Sequence, residues 1–266
     1  NLTGRISRQR LFTLTGAEAL GLGLNPSLHP FSLNDSPRVS RAQWLRHLER
    51  GGFPAIFAVR EEPARMELFN DWLQTTVFRD LAQFQSARFT GEEAIQALTA
   101  LATVDEPTVA SVAGKLRKEG RRIKRLFGFL EQLFVLHRID PHALSTGKSN
   151  YYLCDVALAR FLGAAFERQI ETWFLHEQLA QRAYRAEAGT ELSFFRNSKG
   201  NRVHFIVTVR KQPKRAYALK LLFSEKYDAR EAEILHSLGK RFSDEGVELE
   251  KLFLGPSDFH LKKEGL

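Results

Sequence analysis

The sequence predicts a mixed α+β protein, in which a helical segment leads into a winged helix-turn-helix and then into a second, strand-rich unit. Three observations predict it. The stretch Leu192 to Glu225 reads as a strand, the turn Asn197-Ser198-Lys199-Gly200, a second strand, a basic turn and a third apolar run. It stands between a long helical pattern over 164–184 and another over 230–242. Residues 90–153 hold three helical patterns followed by two short β-prone runs, and seven cations fall within residues 115–125, opposed by Glu119 alone.

At 266 residues and 43% hydrophobic content, the chain has material for more than one core. No run approaches the roughly 18–20 apolar residues of a membrane span, so no membrane partner is expected. The single cysteine, Cys154, excludes an intramolecular disulfide and a cysteine-rich zinc site, which fits a cytoplasmic protein. A net charge of +8 and a pI near 9.7 favour a polyanionic partner; a basic surface kept for solubility is the alternative. Oligomeric state is not legible.

Taken in order, Arg41–Arg50 reads as a helix closed by Gly51-Gly52-Phe53-Pro54. Met66–Phe84 sets Leu68, Trp72, Leu73, Val77 and Leu81 at helical spacing. Thr90-Gly91-Glu92-Glu93 is a capping box, Thr90 capping and Glu93 reaching back, ahead of Ile95, Leu98 and Leu101 on one face. Val109, Val112, Ala113 and Leu116 mark a second helix. Ile123, Leu126, Phe127, Leu130 and Phe134 should turn inward from a third. Val135–Ile139 and Asn150–Leu153 then pair as a wing around Asp140–Ser149. In such folds the start of the third helix reaches base edges and neighbouring cations touch phosphate. Lys115, Arg117, Lys118, Arg121, Arg122, Lys124 and Arg125 are therefore the candidate DNA contacts. The alternatives are a solvated helix face and a protein-docking surface.

The order helix, three strands, basic turn and helix over 164–242 resembles the core of the PD-(D/E)XK nuclease-like fold. In that family an Asp on the second strand and a Glu-X-Lys on the third hold Mg²⁺ and position a water. Here His204, Ala218 and Lys220 stand in those places, while Glu171 and Glu177 resemble the family's pair of helix glutamates. Mg²⁺ is usually held by one or two carboxylates. The resemblance thus implies a degenerate site of Glu171, Glu177, His204, Ala218 and Lys220, without metal. Recruitment of a metal by Glu171, Glu177 or Glu191 is the alternative. Glu177, beside the stripe Phe166, Ile170, Trp173 and Phe174, needs a partner if buried, and Lys220 is the expected one. Lys199, Arg202, Lys211, Lys214, Arg215 and Lys220 are expected to flank a groove for a nucleic-acid backbone, with Lys199, Arg202 and Lys214 as contacts.

Leu2-Thr3-Gly4, His29-Pro30-Phe31-Ser32-Leu33, Gly51-Gly52-Phe53-Pro54 and the run from Trp72 to Leu81 together resemble a prokaryotic group of AAA-type ATPases, whose second half is domain of unknown function 4143. Lys148 to Leu158 is similar to the segment that ends that group's winged-helix unit. Arg5 and Gly21-Leu22-Gly23 depart from its pattern, which has Ser and Ala-Gly-Arg there. The resemblance begins after the group's nucleotide-binding motifs. Gly147-Lys148-Ser149 is the one P-loop-like triplet, but His142 replaces the first glycine and a strand, not a helix, follows. No cofactor is therefore expected in this chain. ATP and Mg²⁺ belong to an ATPase domain expected upstream of Asn1, which would also be a partner. The expected divisions are an ATPase remnant over 1–35, a helical segment over 36–87, the winged helix over 88–160 and the nuclease-like unit over 161–266. The function implied is DNA binding by the C-terminal portion of such an ATPase, not itself an enzyme. A regulatory protein-interaction module and a residual metal-dependent nuclease are the rivals.

Overall fold

Thr15 and Ser40 each accept a hydrogen bond from the amide three residues on, while Glu18 and Gln43 reach back to the cap's own amide. These reciprocal caps open α1 (Gly16–Ala19) and α2 (Arg41–Arg50). The computed structural model describes residues 10–22, 40–84, 89–184, 190–209, 214–223 and 229–254. Asn1 to Arg5, Gly23, His29 to Leu33 and Lys211 lie outside the described residues. Pro54 starts α3 (Pro54–Phe57). The helix expected at Met66–Phe84 begins earlier, as α4 (Glu62–Gln74), and loosens into a π-helical stretch (Thr75–Asp80) and a 3-10 turn (Leu81–Gln83). Phe69, Leu73, Val77 and Leu81 are buried, whereas Leu68 faces solvent.

Next come α5 (Gly91–Thr103), α6 (Val109–Leu116) and α7 (Gly120–Gln132), then β1 (Leu136–Ile139) and β2 (Asn150–Leu153), antiparallel with Leu136 opposite Leu153. Thr90 caps α5 as expected, but Glu93 does not reach back: its carboxylate takes Arg122 instead. Phe134 does not turn inward. The helix stops at Gln132, Phe134 adopts a left-handed φ of 59° and is 57% exposed, and Val135 takes the buried place. Val112, Ile123, Leu126, Phe127 and Leu130 share one core with Phe69, Leu73, Val77 and Leu81, so the helical segment and the three-helix unit close each other.

Asp155 caps α8 (Val156–Phe161) and α9 (Phe166–Tyr184) follows. The remaining elements are β3 (Thr190–Arg196), β4 (Arg202–Val209), β5 (Arg215–Leu221), α10 (Ala229–Asp244) and β6 (Glu248–Leu254). The sheet order is β3-β4-β5-β6. β6 runs parallel to β5, which requires a crossover, and α10 supplies it. Ile170, Phe174 and Leu175 of α9 cover one face with Phe205, Val207, Tyr217 and Leu219; α10 covers the other, over Ile206, Ala216 and Ala218. Ser193 pairs with Ile206 and Phe195 with Val203, leaving Phe194 opposite both His204 and Phe205. That bulge interrupts the strict alternation of β4. Among the described residues no helix is long and apolar enough to cross a membrane.

Gly51-Gly52 is the knot of the N-terminal half. The Gly52 amide donates to Asp155 Oδ2 at 2.6 Å, and its carbonyl accepts from the Leu14 amide at 2.7 Å. A Cβ on Gly52 would stand 2.3 Å from the Leu14 carbonyl oxygen, whereas one on Gly128 of α7 would meet nothing within 4 Å. Gly52→Ala should therefore cost about 1–3 kcal/mol, as overpacking does. Gly128→Ala should gain up to about 1 kcal/mol through helix propensity. Urea unfolding of both variants checks the opposite signs, and a neutral Gly52→Ala would contradict the contact.

Candidate nucleic-acid interface

The cations between α6 and α7 divide into two sets. Lys115 donates to Thr103 Oγ1 at 2.6 Å, and Arg122 grips Glu93 through two bonds of 2.5 and 2.6 Å while lying over the Phe89 ring. That clamp joins α5 to α7 and holds the Glu93 carboxyl below its usual range. Arg117, Lys118, Arg121, Lys124 and Arg125 are exposed and make no ion pair among the described residues. All five lie in the three-residue turn after α6 or in the first two turns of α7. Arg117 ends α6 in the left-handed conformation, φ 53° and ψ 43°, where glycine is the unstrained choice.

The loop from Asp140 to Ser149 is not free. The His142 amide donates to the Phe194 carbonyl at 2.8 Å and that of Thr146 to the Arg196 carbonyl at 2.9 Å, and Arg196 pairs with Glu106. The loop is thus stitched to β3 and directed away from independent insertion into a groove.

The second cationic group does not assemble as expected. Lys199 is at the β3–β4 turn and Lys214 precedes β5 at the far end of β4, about 25 Å away for eight strand residues. Arg202 is turned inward. Its Nη2 meets Glu171 Oε1 at 2.9 Å, and Arg168 Nη1 meets Glu171 Oε2 at 2.6 Å. Tyr152 and His204 complete the shell around Glu171, which is 1% exposed. His204 Nδ1 accepts the Leu221 amide at 3.0 Å, so its proton sits on Nε2, toward Glu171, and burial keeps the ring neutral.

The expected pair of Glu177 and Lys220 is not formed. Residues 12–16 lie as an N-terminal strap across α9, bonded to Tyr184, His176 and Glu177. Glu177 accepts the Gly16 amide at 2.6 Å on that side, and Lys220 donates to the Arg202 carbonyl at 3.0 Å. Ala218 packs against α10, and alternation along β5 places Lys220 on that same face, opposite Glu171 and His204. The five residues of the expected degenerate site are thereby spread over three places. Arg168 and Tyr152, which build the Glu171 site, went unread, although Arg168 stands one turn before Glu171. Among the described residues no group of three or more His, Cys, Asp or Glu is placed to hold a metal ion.

Under the strap, Thr13 Oγ1 bonds His176 Nε2 at 2.9 Å, and His47 Nε2 lies 3.8 Å from Glu177 Oε1. Burial holds His47 and His176 down to about 4 and lifts Glu177 to about 7, so His47 and Glu177 meet as neutral groups below neutrality, not as an ion pair. The two histidines contribute stability that is full above their unfolded value near 6.5 and is lost as pH falls toward 4. Glu177 acts oppositely: its contribution is full below about 4.5 and lost as pH rises through 7. Within this cluster, two protons against one make acidification from pH 6.5 to 4.5 destabilising. His176→Gln should flatten that slope by about 1.4 kcal/mol per pH unit, measured by unfolding at several pH values. An unchanged slope would contradict the assignment.

Residues 41–169 match the family model described as Domain of unknown function (DUF8612). The match runs from the start of α2 into the first turn of α9, and so includes the basic turn and α7 but stops short of Glu171. No curated protein and no solved structure matches the chain.

Proposed function

We propose that this chain is a DNA-binding module. Helices α5 to α7 with the β1–β2 hairpin are read as a winged helix-turn-helix. The order α9-β3-β4-β5-α10-β6 is read as a nuclease-like core that binds without cutting. The observation that carries the reading is the set of five exposed, unpaired cations at the turn and start of α7, one of them kept in a strained backbone conformation. A residue held in an unfavourable region of backbone space is a pointer to function. The docked loop shifts the expected contact from a wing onto α7 itself. Support for a non-cleaving core is that both Glu171 oxygens are taken by guanidinium groups, an environment that disfavours a bound cation. The resemblance of the opening motifs to AAA-type ATPases extends the reading: DNA binding here would be conveyed to an upstream ATPase domain.

A salt titration of binding to random-sequence duplex tests it. Three to five phosphate contacts give a slope of log K against log salt of about −3 to −4.5. Salt-insensitive or absent binding would refute it. The rival docking reading draws on Leu11 and Phe134, exposed at a cleft of about 210 Å³ that also includes Trp72 and Phe53.

A further inference from the structure

Gln43, Arg46, His47 and Arg50 follow one another at i, i+3, i+4 and i+7, and so share one face of α2. That face lines a cleft of about 160 Å³, closed by Ala19 and Leu20 at the end of α1 and by Phe57. A cavity of about 150 Å³ is enough for one benzene ring. Arg46 and Arg50 make no hydrogen bond or ion pair among the described residues, and the Nε of Arg50 is buried without a partner. His47 is 4% exposed, and its Nδ1 also lacks one. The Gln43 Oε1 accepts the Ser40 amide at 2.8 Å, which fixes the amide and leaves its NH₂ as a donor. Buried polar atoms are normally satisfied. Here Arg50 Nε and His47 Nδ1 are buried without a partner among the described residues, beside the exposed Arg46 guanidinium and the half-buried Gln43 amide, so the cleft offers donors to an acceptor from outside.

We propose that this cleft binds a small anion of the phosphate class, inorganic phosphate or a small phosphomonoester. A planar carboxylate presents two oxygens, whereas two guanidinium groups, an amide and an imidazole arrayed around one cleft match a tetrahedral oxyanion. The His47 ring is held neutral by burial, so it has one donor and one acceptor nitrogen. A phosphate oxygen can accept from it and a phosphate O–H can donate to it, so either tautomer is served. Glu177, behind His47, is lifted to about 7 and is largely uncharged just below neutrality, which lessens its repulsion of an anion. Ala19, Leu20 and Phe57 give the carbon side of an ester an apolar wall. This site is separate from the α7 cations, and its argument does not rest on DNA binding.

Calorimetry at pH 6.5 and constant ionic strength, with inorganic phosphate and with methyl phosphate, tests the proposal on the whole chain. A dissociation constant tighter than about 1 mM is expected, weakened at least tenfold in Arg46→Ala/Arg50→Ala. It should be unchanged in Arg41→Ala, an exposed cation at the other end of the same helix. Circular dichroism reports the fold of the variants. Should the double variant unfold, the His47 ring resonances of the unaltered protein serve instead: they should shift on phosphate addition while those of buried His204 stay fixed. No heat and no His47 shift at about 10 mM phosphate, or an equal loss in Arg41→Ala, would overturn the site. The double variant should leave the salt slope for random duplex unchanged. Loss of DNA binding in step with phosphate binding would make the cleft part of a DNA surface and overturn its assignment to a small anion.

Discussion

Glu171→Gln is expected to be the most damaging conservative change in the protein. The carboxylate is buried between Arg168 and Arg202, with Tyr152 and His204 against it. Removing its charge leaves Arg168, whose side chain is 10% exposed, with the Asp105 carbonyl at 2.7 Å but no counter-charge. Breaking a buried ion pair by removing one partner costs about 3–5 kcal/mol. The Gln NH₂ would also face a guanidinium, donor against donor. Glu177→Gln in the same helix makes the internal control. Glu177 is also buried, at 9% exposure against 1% for Glu171, yet its carboxyl is lifted to about 7, so at pH 6 an amide replaces a group that is already mostly neutral. The amide oxygen can still accept the Gly16 amide. Urea unfolding at pH 6 should therefore separate the two variants by about 2–4 kcal/mol, Glu171→Gln being the weaker. Equal costs would mean that the charge on Glu171 does not hold the site together.

The same helix explains why the site was harder to read than the fold. Most of the elements from Arg41 to Val209 announced themselves through caps, apolar spacing and the Asn-Ser-Lys-Gly turn, because those signals are local. α9 obeys no such rule. Arg168, Glu171, Thr172, His176, Glu177 and Gln178 are all buried in it, since strap, α2, β2 and the sheet surround it on several sides. Between Ile170 and Ala180 no position of α9 is exposed, so a polar residue there has no solvent face to betray its direction, and choosing between Glu171 and Glu177 needs the tertiary partners. The bulge opposite Phe194 is equally silent, as period-two alternation gives no sign of an extra residue. β6 carries only the short apolar run Leu252-Phe253-Leu254 behind Glu248, Glu250 and Lys251, which is too little to mark a strand by itself. Arg122 looked like its cationic neighbours in sequence, and only the position of Glu93, 29 residues earlier, sets it apart. The face of α2 that lines the cleft was legible in spacing, but its meaning depends on Ala19 and Leu20 closing over it.

Arg121→Ala combined with Arg125→Ala should weaken duplex binding by about tenfold per lost contact, taking about 1.5 kcal/mol for a charge-assisted hydrogen bond. The salt slope should become shallower by about 0.9 for each. The two residues lie one turn apart on the exposed face of α7, away from Ile123, Phe127 and Leu130, so stability should stay within about 0.5 kcal/mol for each change. Arg117→Gly sharpens the case, because its two effects have opposite signs. Relief of the left-handed conformation should stabilise the fold by up to about 1 kcal/mol, while loss of the cation should weaken binding and reduce the slope by about one unit. A protein that becomes more stable and binds less well cannot have lost affinity through unfolding. A uniform drop over all sequences indicates phosphate tracking, and a drop confined to one sequence indicates base readout from α7. If both variants bind duplex as the unaltered protein does, α7 is not the interface. The test then passes to Lys199 at the β3–β4 turn, the exposed cation nearest to Arg202, and the exposed Phe134 becomes the better guide to what this half of the molecule meets.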